Sequence, residues 1–457
     1  MTTPQVSPKT VPDDLDVETS PRTSGIDSAD HTAEQMRRDK LAYDLKIKTD
    51  LRRFLEEHHG LTNFDVDYLS GGTANYVYRV TERGSGVTRI FKHAARQLRS
   101  SKETFELSPE RLDFEADMLM MLMKRSEDES ECHCRTVEAF DASTIEKTHV
   151  HTARFKSYDR DIKLLCIEDG GDRNLKDAYK DLSLAELQEI GAELGKWLAK
   201  LHGTTPLSYV SGDDEKRNNS VGVAIASYTY KRLLGTLDHY CDNLETGNLS
   251  NETLAEHMKP YDDTRRRAER LSKRAGDLVD NRMTKMRESV CHGDFWPGNI
   301  MLRSNISTKG PSHGLTVLDW ELTRIGNSAT DIGQFAAEAT ILDLLNGNSY
   351  QSGLCAAFIR AYFKTSAVGV GSKETIYAWM TQIAIHYAVH LIVWPPDAIH
   401  WAPKEEAPNF CIHGLTVLKD ALSQTPDIRT WGLFAGLDGL EEIAKEFPDK
   451  RGKNADE

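Results

Sequence analysis

A chain of 457 residues with a formal charge of −14 is long enough to bury a substantial core. It is also too acidic to suit nucleic-acid binding, which is driven by neutralising phosphates. Seven scattered cysteines, an odd number, fit reduced intracellular thiols better than a disulfide framework. No apolar run reads as membrane-spanning, and no basic-then-apolar signal pattern opens the chain. The expected compartment is therefore the cytoplasm, with neither nucleic acid nor membrane as partner.

Residues 1–33 carry Thr, Ser, Pro and Asp with almost no large apolar side chain, a composition expected to stay disordered. An amphipathic helix is predicted from about Ala33 to Glu57, with Leu41, Leu45, Leu51 and Leu55 as its apolar points and Gly60 after its end. Three strands follow, Phe64–Leu69, Tyr76–Thr81 and Val87–His93. Between the first two lies Ser70-Gly71-Gly72-Thr73-Ala74-Asn75. Paired glycines let backbone approach a ligand, and the N–H groups there could cradle phosphates; a plain hairpin turn explains them equally well. Lys92 ends the third strand.

The spacing of Leu112, Met118, Leu119 and Leu122 predicts a helix over about Pro109–Lys124, with Glu110, Asp113 and Glu115 near its start. Strands at Arg135–Asp141, Lys147–Phe155 and Ile162–Ile167 are expected to complete a small sheet. Cys132-His133-Cys134 lacks a second ligand pair at zinc spacing, so a loop is the better reading. Beyond residue 170 the pattern turns helical: Leu184–Leu201, Ser220–Leu244 and Asn251–Glu288 read as three helices. The three arginines at 265–267 read as a solvated helix face.

The chemistry lies in the next stretch, Val290-Cys291-His292-Gly293-Asp294-Phe295-Trp296-Pro297-Gly298-Asn299, followed by Leu318-Asp319-Trp320-Glu321. Two short apolar strands each end in polar residues. Phosphoryl transfer asks for a carboxylate to orient the attacking hydroxyl and oxygen ligands to hold Mg²⁺ against the phosphates. Asp294 followed five residues later by Asn299 has the spacing of the kinase catalytic loop, and Asp319 stands where the metal-binding Asp follows that loop. The neutral oxygen of Asn299 beside carboxylates suits Mg²⁺. Each residue alone could merely cap a turn; the ordered set points to a kinase. Lys92 then stands where a kinase places the Lys of its α- and β-phosphates, and Glu115 is the candidate partner for it, with Glu110 and Asp113 as alternatives. Further helices are expected after Asp331-Ile332-Gly333-Gln334, at about Gly353–Lys364, Lys373–Trp394, Ile412–Ala421 and Asp438–Lys445.

His292-Gly293-Asp294 through Asn299, with Leu318-Asp319-Trp320-Glu321 and Asp331, resembles the aminoglycoside phosphotransferase and choline kinase family. Phe295-Trp296 stands where that family usually has Leu-His, which changes a wall of the site. The resemblance implies an α+β, bilobal protein-kinase-like fold, with a small antiparallel-sheet N-lobe and a mainly helical C-lobe. The domains would be a tail (1–33), a nucleotide lobe with its leading helix (34–170) and a catalytic and substrate lobe (171–457). It implies ATP and Mg²⁺ as cofactors and the hydroxyl of a small molecule (an aminoglycoside, choline or sugar) as acceptor. Asp294 would be catalytic, and Asn299 and Asp319 would be metal ligands. Gly71, Gly72, Thr73, Asn75, Lys92, Glu115 and the hinge residue Glu168 would meet the nucleotide. His292, Glu321, Asp331 and His202 would support the site, His202 by a buried hydrogen bond beneath the catalytic loop. An inactive nucleotide-binding scaffold of the same fold is the alternative. Acidic residues (Glu321, Asp397, Glu405, Glu406) near Trp320, Trp379, Trp394 and Trp401 suggest a cationic acceptor, through charge and cation–π contact.

Overall fold

The computed structural model describes residues 34–35, 37–70, 74–95, 107–123, 149–204, 219–259, 261–279, 288–304, 313–366, 372–397, 401–423 and 427–437. The expected tail, Gly71, Gly72, Thr73, the 132–134 triplet, the strand at 135–141 and the helix at 438–445 lie outside them. The chain divides into two units, 1–60 and 61–457.

In the first unit the expected long helix is broken. A helical stretch at 37–41 ends, and α1 begins anew at Lys48–His59. The six-residue step from Leu45 to Leu51 is off the helical period, so one continuous helix could not bury both; the restart buries both. Asp50 accepts from the backbone N–H of Asp44 across the break. The leading helix thus belongs to a unit separate from the sheet that follows it.

The second unit opens with a five-stranded antiparallel sheet in the order β1-β2-β3-β6-β5: β1 Phe64–Tyr68, β2 Asn75–Glu82, β3 Thr88–Ala94, β5 Phe155–Asp159 and β6 Leu164–Glu168. Alternation in β2 turns Tyr78 and Val80 into the core. Helix α2 (Arg111–Leu122), rich in strong helix formers and free of Gly and Pro, follows β3 in the chain. The strand expected over Lys147–Phe155 is two strands. Val150–Thr152 (β4) leaves the small sheet and runs parallel to His313–Val317 (β10) in a second sheet, ordered β4-β10-β9-β7. There β9 is Ile300–Ser304 and β7 is Arg173–Asn174. A third pair, β8 (Ser289–Cys291) with β11 (Arg324–Gly326), brackets the 292–299 loop.

The remainder is helical: α3 Leu184–Thr204, α4 Ser220–Glu245, α5 Glu252–Met258, α6 Tyr261–Lys273, α7 Ala275–Val279, α8 Ala329–Leu345, α9 Leu354–Thr365, α10 Lys373–Asp397 and α11 Ala407–Ala421. Asn251–Glu288, read as one helix, forms three across its described residues, α5 to α7. Lys259 caps α5 in an extended conformation, the backbone forced on a residue before proline, here Pro260. The arginines of α6 face carboxylates, Arg265 at 2.8 Å from Glu269 and Arg267 at 2.8 Å from Asp263.

Gly191 and Gly195 let α3 touch α9 backbone to backbone. A Cβ on Gly195 would stand 2.3 Å from the Phe358 carbonyl oxygen. That close crossing fixes the end of α3 that carries His202. Helix α10 corrects one expectation: Lys373–Pro396 is long and apolar enough to cross a membrane, but 89% of its most apolar window is buried inside the protein. It is a core helix, packed against α8 and α11.

Candidate active site

The site forms where the small sheet meets the loops after β8 and β10. Lys92, in register with Leu165 at the sheet's centre, is almost fully buried, and its Nζ lies 2.6 Å from Glu115 Oε2. It also contacts Asp319 Oδ1. Glu110 and Asp113 do not compete for Lys92. Asp113 is held by Lys163 at 2.8 Å and by the Tyr158 hydroxyl. Glu110 lies in the exposed turn before α2. Burial pulls the Lys92 ammonium down, but Asp319 and Glu115 outweigh it and raise its pKa, so it stays charged. Burial pushes Glu115 up, with Lys92 opposing. Asp319 is drawn below the usual carboxylate range by Lys92 in spite of its own burial.

Asp319 has φ 68°, the left-handed region, which Asp tolerates better than most residues but at a cost of roughly 1 kcal/mol or more. The bend turns the chain straight from β10 into the Trp320–Leu322 turn. Asp331 fixes the opposite loop. Its Oδ2 accepts from the His292 backbone N–H at 2.7 Å, and its Oδ1 from that of Gly293 at 3.0 Å. His202 Nε2 lies 3.1 Å from Asp331 Oδ2, and its Nδ1 lies 2.9 Å from the Tyr362 hydroxyl. The His292 ring meets the Leu318 carbonyl oxygen through Nε2 at 3.0 Å and packs on Trp320. Burial drives its pKa down to about 4, so it is neutral. Gly293 has φ 90°, and a Cβ there would stand 2.1 Å from the Leu322 carbonyl oxygen; only glycine fits.

Both oxygens of Asp294 are held by side-chain amides. Oδ1 accepts from Gln334 Nε2 at 2.7 Å and Oδ2 from Asn299 Nδ2 at 3.1 Å. Asn299 Nδ2 also reaches the Asp294 carbonyl at 3.0 Å, which turns its own oxygen away from Asp294. The Asn299 carbonyl takes the Leu318 N–H at 2.9 Å, tying this loop to the residue before Asp319. Burial pushes the Asp294 carboxyl up to about 7 and Asp319 adds to that, while Gln334 opposes it.

A cavity of about 170 Å³ opens beside Asp294, lined among others by Trp296, Gln334, Glu338, His390 and Trp394. Glu338 Oε1 lies 3.1 Å from His390 Nε2, and its Oε2 is buried with no partner among the described residues. Burial raises the Glu338 carboxyl to about 8 and lowers His390 to about 3.

Glu321, expected to support the site, and Asn75, expected to meet the nucleotide, are tied together through Arg111 and not to the Asp294 cavity. Asn75 Nδ2 donates to Glu321 Oε2 at 2.7 Å, and Arg111 engages both residues. Glu168 pairs with Arg303 Nη1 at 3.0 Å, and its N–H goes to the Arg154 carbonyl. Among the described residues expected to hold a cation, Trp394 alone lines the cavity. Trp320 and Trp379 are core residues, Trp401 is half-buried elsewhere, and Glu405 is exposed. The Asp397 side chain lies outside the described atoms.

Four residues of this site were not singled out from the sequence: Arg111, Gln334, Glu338 and His390. A signal existed for three of them. Asp331, Gln334 and Glu338 are spaced i, i+3, i+7 on α8, and Gln382, His386 and His390 are spaced i, i+4, i+8 on α10, polar stripes on largely apolar helices. Of Phe295-Trp296, the first is core, packed on Trp197 and Phe335, and only the second reaches the cavity.

The sequence profile of the phosphotransferase enzyme family (APH) matches residues 65–369, about two-thirds of the chain, a span that holds Lys92, Glu115, Asp294, Asn299, Asp319, Asp331 and Glu338 but not His390 or Trp394. The chain belongs to this family. It is a kinase that phosphorylates a small-molecule hydroxyl, on the bilobal α+β fold of that family. Among its relatives is a 4-hydroxytryptamine kinase of Psilocybe cubensis, 24% identical over 396 residues, covering 83% of this chain and 94% of that protein. Another is the 4-hydroxytryptamine kinase of Psilocybe cyanescens, 25% identical over 397 residues with the same coverage. Of solved structures, a Plasmodium vivax ethanolamine kinase aligns over 91% of this chain and 98% of its own, at 14% identity and a TM-score of 0.44.

Proposed function

We propose that the protein transfers the γ-phosphoryl group of ATP, with Mg²⁺, to the hydroxyl of a small amine-bearing molecule. The observation that carries the amine is Glu338. A buried carboxylate oxygen with no partner costs several kcal/mol unless something satisfies it, and this one lines the same cavity as Asp294. An ammonium group satisfies it by charge and hydrogen bonds, and the Trp394 and Trp296 faces add cation–π attraction of roughly 0.5–2 kcal/mol. The 4-hydroxytryptamine kinases, whose named acceptor carries both a hydroxyl and an amine, support this reading.

In this account the acceptor hydroxyl lies against Asp294, which takes its proton as the new O–P bond forms and the bond to the leaving ADP oxygen breaks. Gln334 and Asn299 hold both Asp294 oxygens, so the carboxylate is already oriented. Lys92 carries the phosphate charge, and Glu115 keeps its ammonium in place. Asn299, through the amide oxygen turned away from Asp294, and Asp319, through the oxygen not facing Lys92, fit a hard cation. When bound, Mg²⁺ supplies neutralisation of the phosphoryl oxygens. Gly71, Gly72 and Thr73 are assigned to the phosphates from their order in the chain.

The test is ADP release with a panel of acceptors: choline, ethanolamine, a hydroxyarylethylamine, an aminoglycoside and a neutral ribose analogue. Turnover confined to the amines, with KM raised on Glu338→Gln, is expected. Turnover on the neutral sugar alone would rule the amine out. Slow ATP hydrolysis without any acceptor separates an enzyme from a scaffold.

A further inference from the structure

Lys92 and Glu115 make only half of the contact between α2 and the loop after β10. One turn ahead of Glu115, on the same helix face, stands Arg111, 1% exposed. Its guanidinium is fully engaged. Nε donates to Glu321 Oε2 at 3.0 Å, and Nη1 to the carbonyls of Leu107 and Ser108 at 3.1 and 2.9 Å. Nη2 donates to the Ala74 carbonyl at 2.8 Å and to Asn75 Oδ1 at 2.9 Å. Asn75 closes the ring on Glu321 at 2.7 Å.

Helix α2 thus carries two buried charges four residues apart, and they meet loop residues two apart, on either side of Trp320. Glu115 reaches Asp319 through Lys92, and Arg111 reaches Glu321. Desolvating a guanidinium costs several kcal/mol and is repaid only when its donors are all matched. Packing alone would be served by an apolar residue of similar size. What the arginine adds is geometry, because its planar fork fixes directions that no apolar side chain fixes. The directions it fixes are those of three segments: the residues following Gly71-Gly72-Thr73, the lead-in to α2, and the Asp319–Glu321 turn.

We propose that Arg111 is a positioning residue. With Asn75 and Glu321 it locks the exit of the glycine loop, helix α2 and the Asp319 turn into one rigid unit. Asp319 then holds its left-handed backbone ready for Mg²⁺ before nucleotide arrives. The inference rests on the assignment of Asp319 to the metal.

The test uses the full-length protein with Arg111→Lys, the double variant Arg111→Met/Glu321→Leu, and Asp319→Asn as reference. Arg111→Met alone leaves a buried unpaired carboxylate and is liable to unfold; the double variant removes both charges. ATP affinity is titrated calorimetrically with Mg²⁺ varied and, separately, in EDTA. Amide hydrogen exchange of α2 is followed in the metal-free, nucleotide-free protein. In the double variant, Tm is expected near the parent's and affinity in EDTA within twofold of it, while the Mg²⁺ half-saturation rises about tenfold or more, as for lost groups behind a metal ligand. Exchange in α2 should be faster, and Arg111→Lys, with three donors in place of five, should fall between. Parental Mg²⁺ dependence and α2 exchange in Arg111→Lys or the folded double variant would overturn the inference while leaving the function intact, provided Asp319→Asn loses Mg²⁺ dependence. An Asp319→Asn protein that keeps it would overturn the metal assignment and this inference together.

Discussion

His202 Nε2 lies 3.1 Å from Asp331 Oδ2 in the core, and the same carboxylate takes the backbone N–H groups of His292 and Gly293. One buried Asp therefore suspends the catalytic loop from α3 and α8. Burial pushes this carboxyl up, but His202 and its other partners hold it down to about 2. Depressed from 3.8, it stabilises the fold above about pH 4, and that stability is lost as pH falls through about 2. Its size is about 2 kcal/mol. Asp331→Asn should cost roughly that much in urea unfolding at pH 7, with the gap to the parent closing by about pH 2. A gap unchanged across that range would mean the charge does not act.

Lys92 contacts both Glu115 and Asp319, so the three form one unit. Glu115→Ala leaves Lys92 paired with Asp319 and should lower kcat/KM less than Lys92→Ala. The double variant should be no worse than Lys92→Ala by more than a few-fold, because groups acting together are non-additive. Strictly additive losses would show that Glu115 acts elsewhere.

Burial raises the Glu338 carboxyl to about 8. Below that pH it is protonated before the acceptor arrives, so an ammonium ligand must displace a proton. With a quaternary amine such as choline, which cannot itself titrate, KM should fall as pH rises from about 6.5 to about 8.5, toward the ionised carboxylate. Glu338→Gln should raise KM and flatten the profile. A parental KM that is flat in pH would remove Glu338 from the acceptor contact.

The juxtaposition of the 292–299 loop and the Asp319 turn, the catalytic elements in the proposed function, was legible because phosphoryl transfer demands oxygen ligands at fixed chain spacing, and Asp294, Asn299 and Asp319 show that spacing in one dimension. The sheet was legible from period-2 alternation, as in β2. Arg111 was not, since its partners at 74, 75, 107, 108 and 321 meet only in the folded chain. Most of the residues expected around a cation lie elsewhere for a related reason. Tryptophans and acids were plentiful after residue 320, and nothing in one sequence separates Trp394 at the cavity from Trp379 in the core. His390 was missed although Gln382, His386 and His390 recur at i, i+4, i+8 on α10, a polar stripe that all turns inward and is buried. The split of 147–155 into two sheets turns on where Val150 pairs, a long-range contact with Leu315.

Asp319→Ala should lose Mg²⁺-dependent ATP binding as well as turnover, because it removes the proposed metal ligand and leaves Lys92 without one of its two carboxylates. Affinity in EDTA should be less affected than affinity at saturating Mg²⁺. Equal affinity for ATP with and without metal in the parent protein would contradict this.

Asp294 is assigned in the proposed function to the acceptor hydroxyl and not to the nucleotide. The direct measurement is Asp294→Asn, a near-isosteric change, assayed by ADP release and by calorimetric titration of ATP with Mg²⁺. Turnover should fall by roughly 10²-fold or more, the scale of a lost general base, while ATP affinity stays within a few-fold of the parent's. A loss of nucleotide affinity as large as the loss of turnover would contradict the assignment.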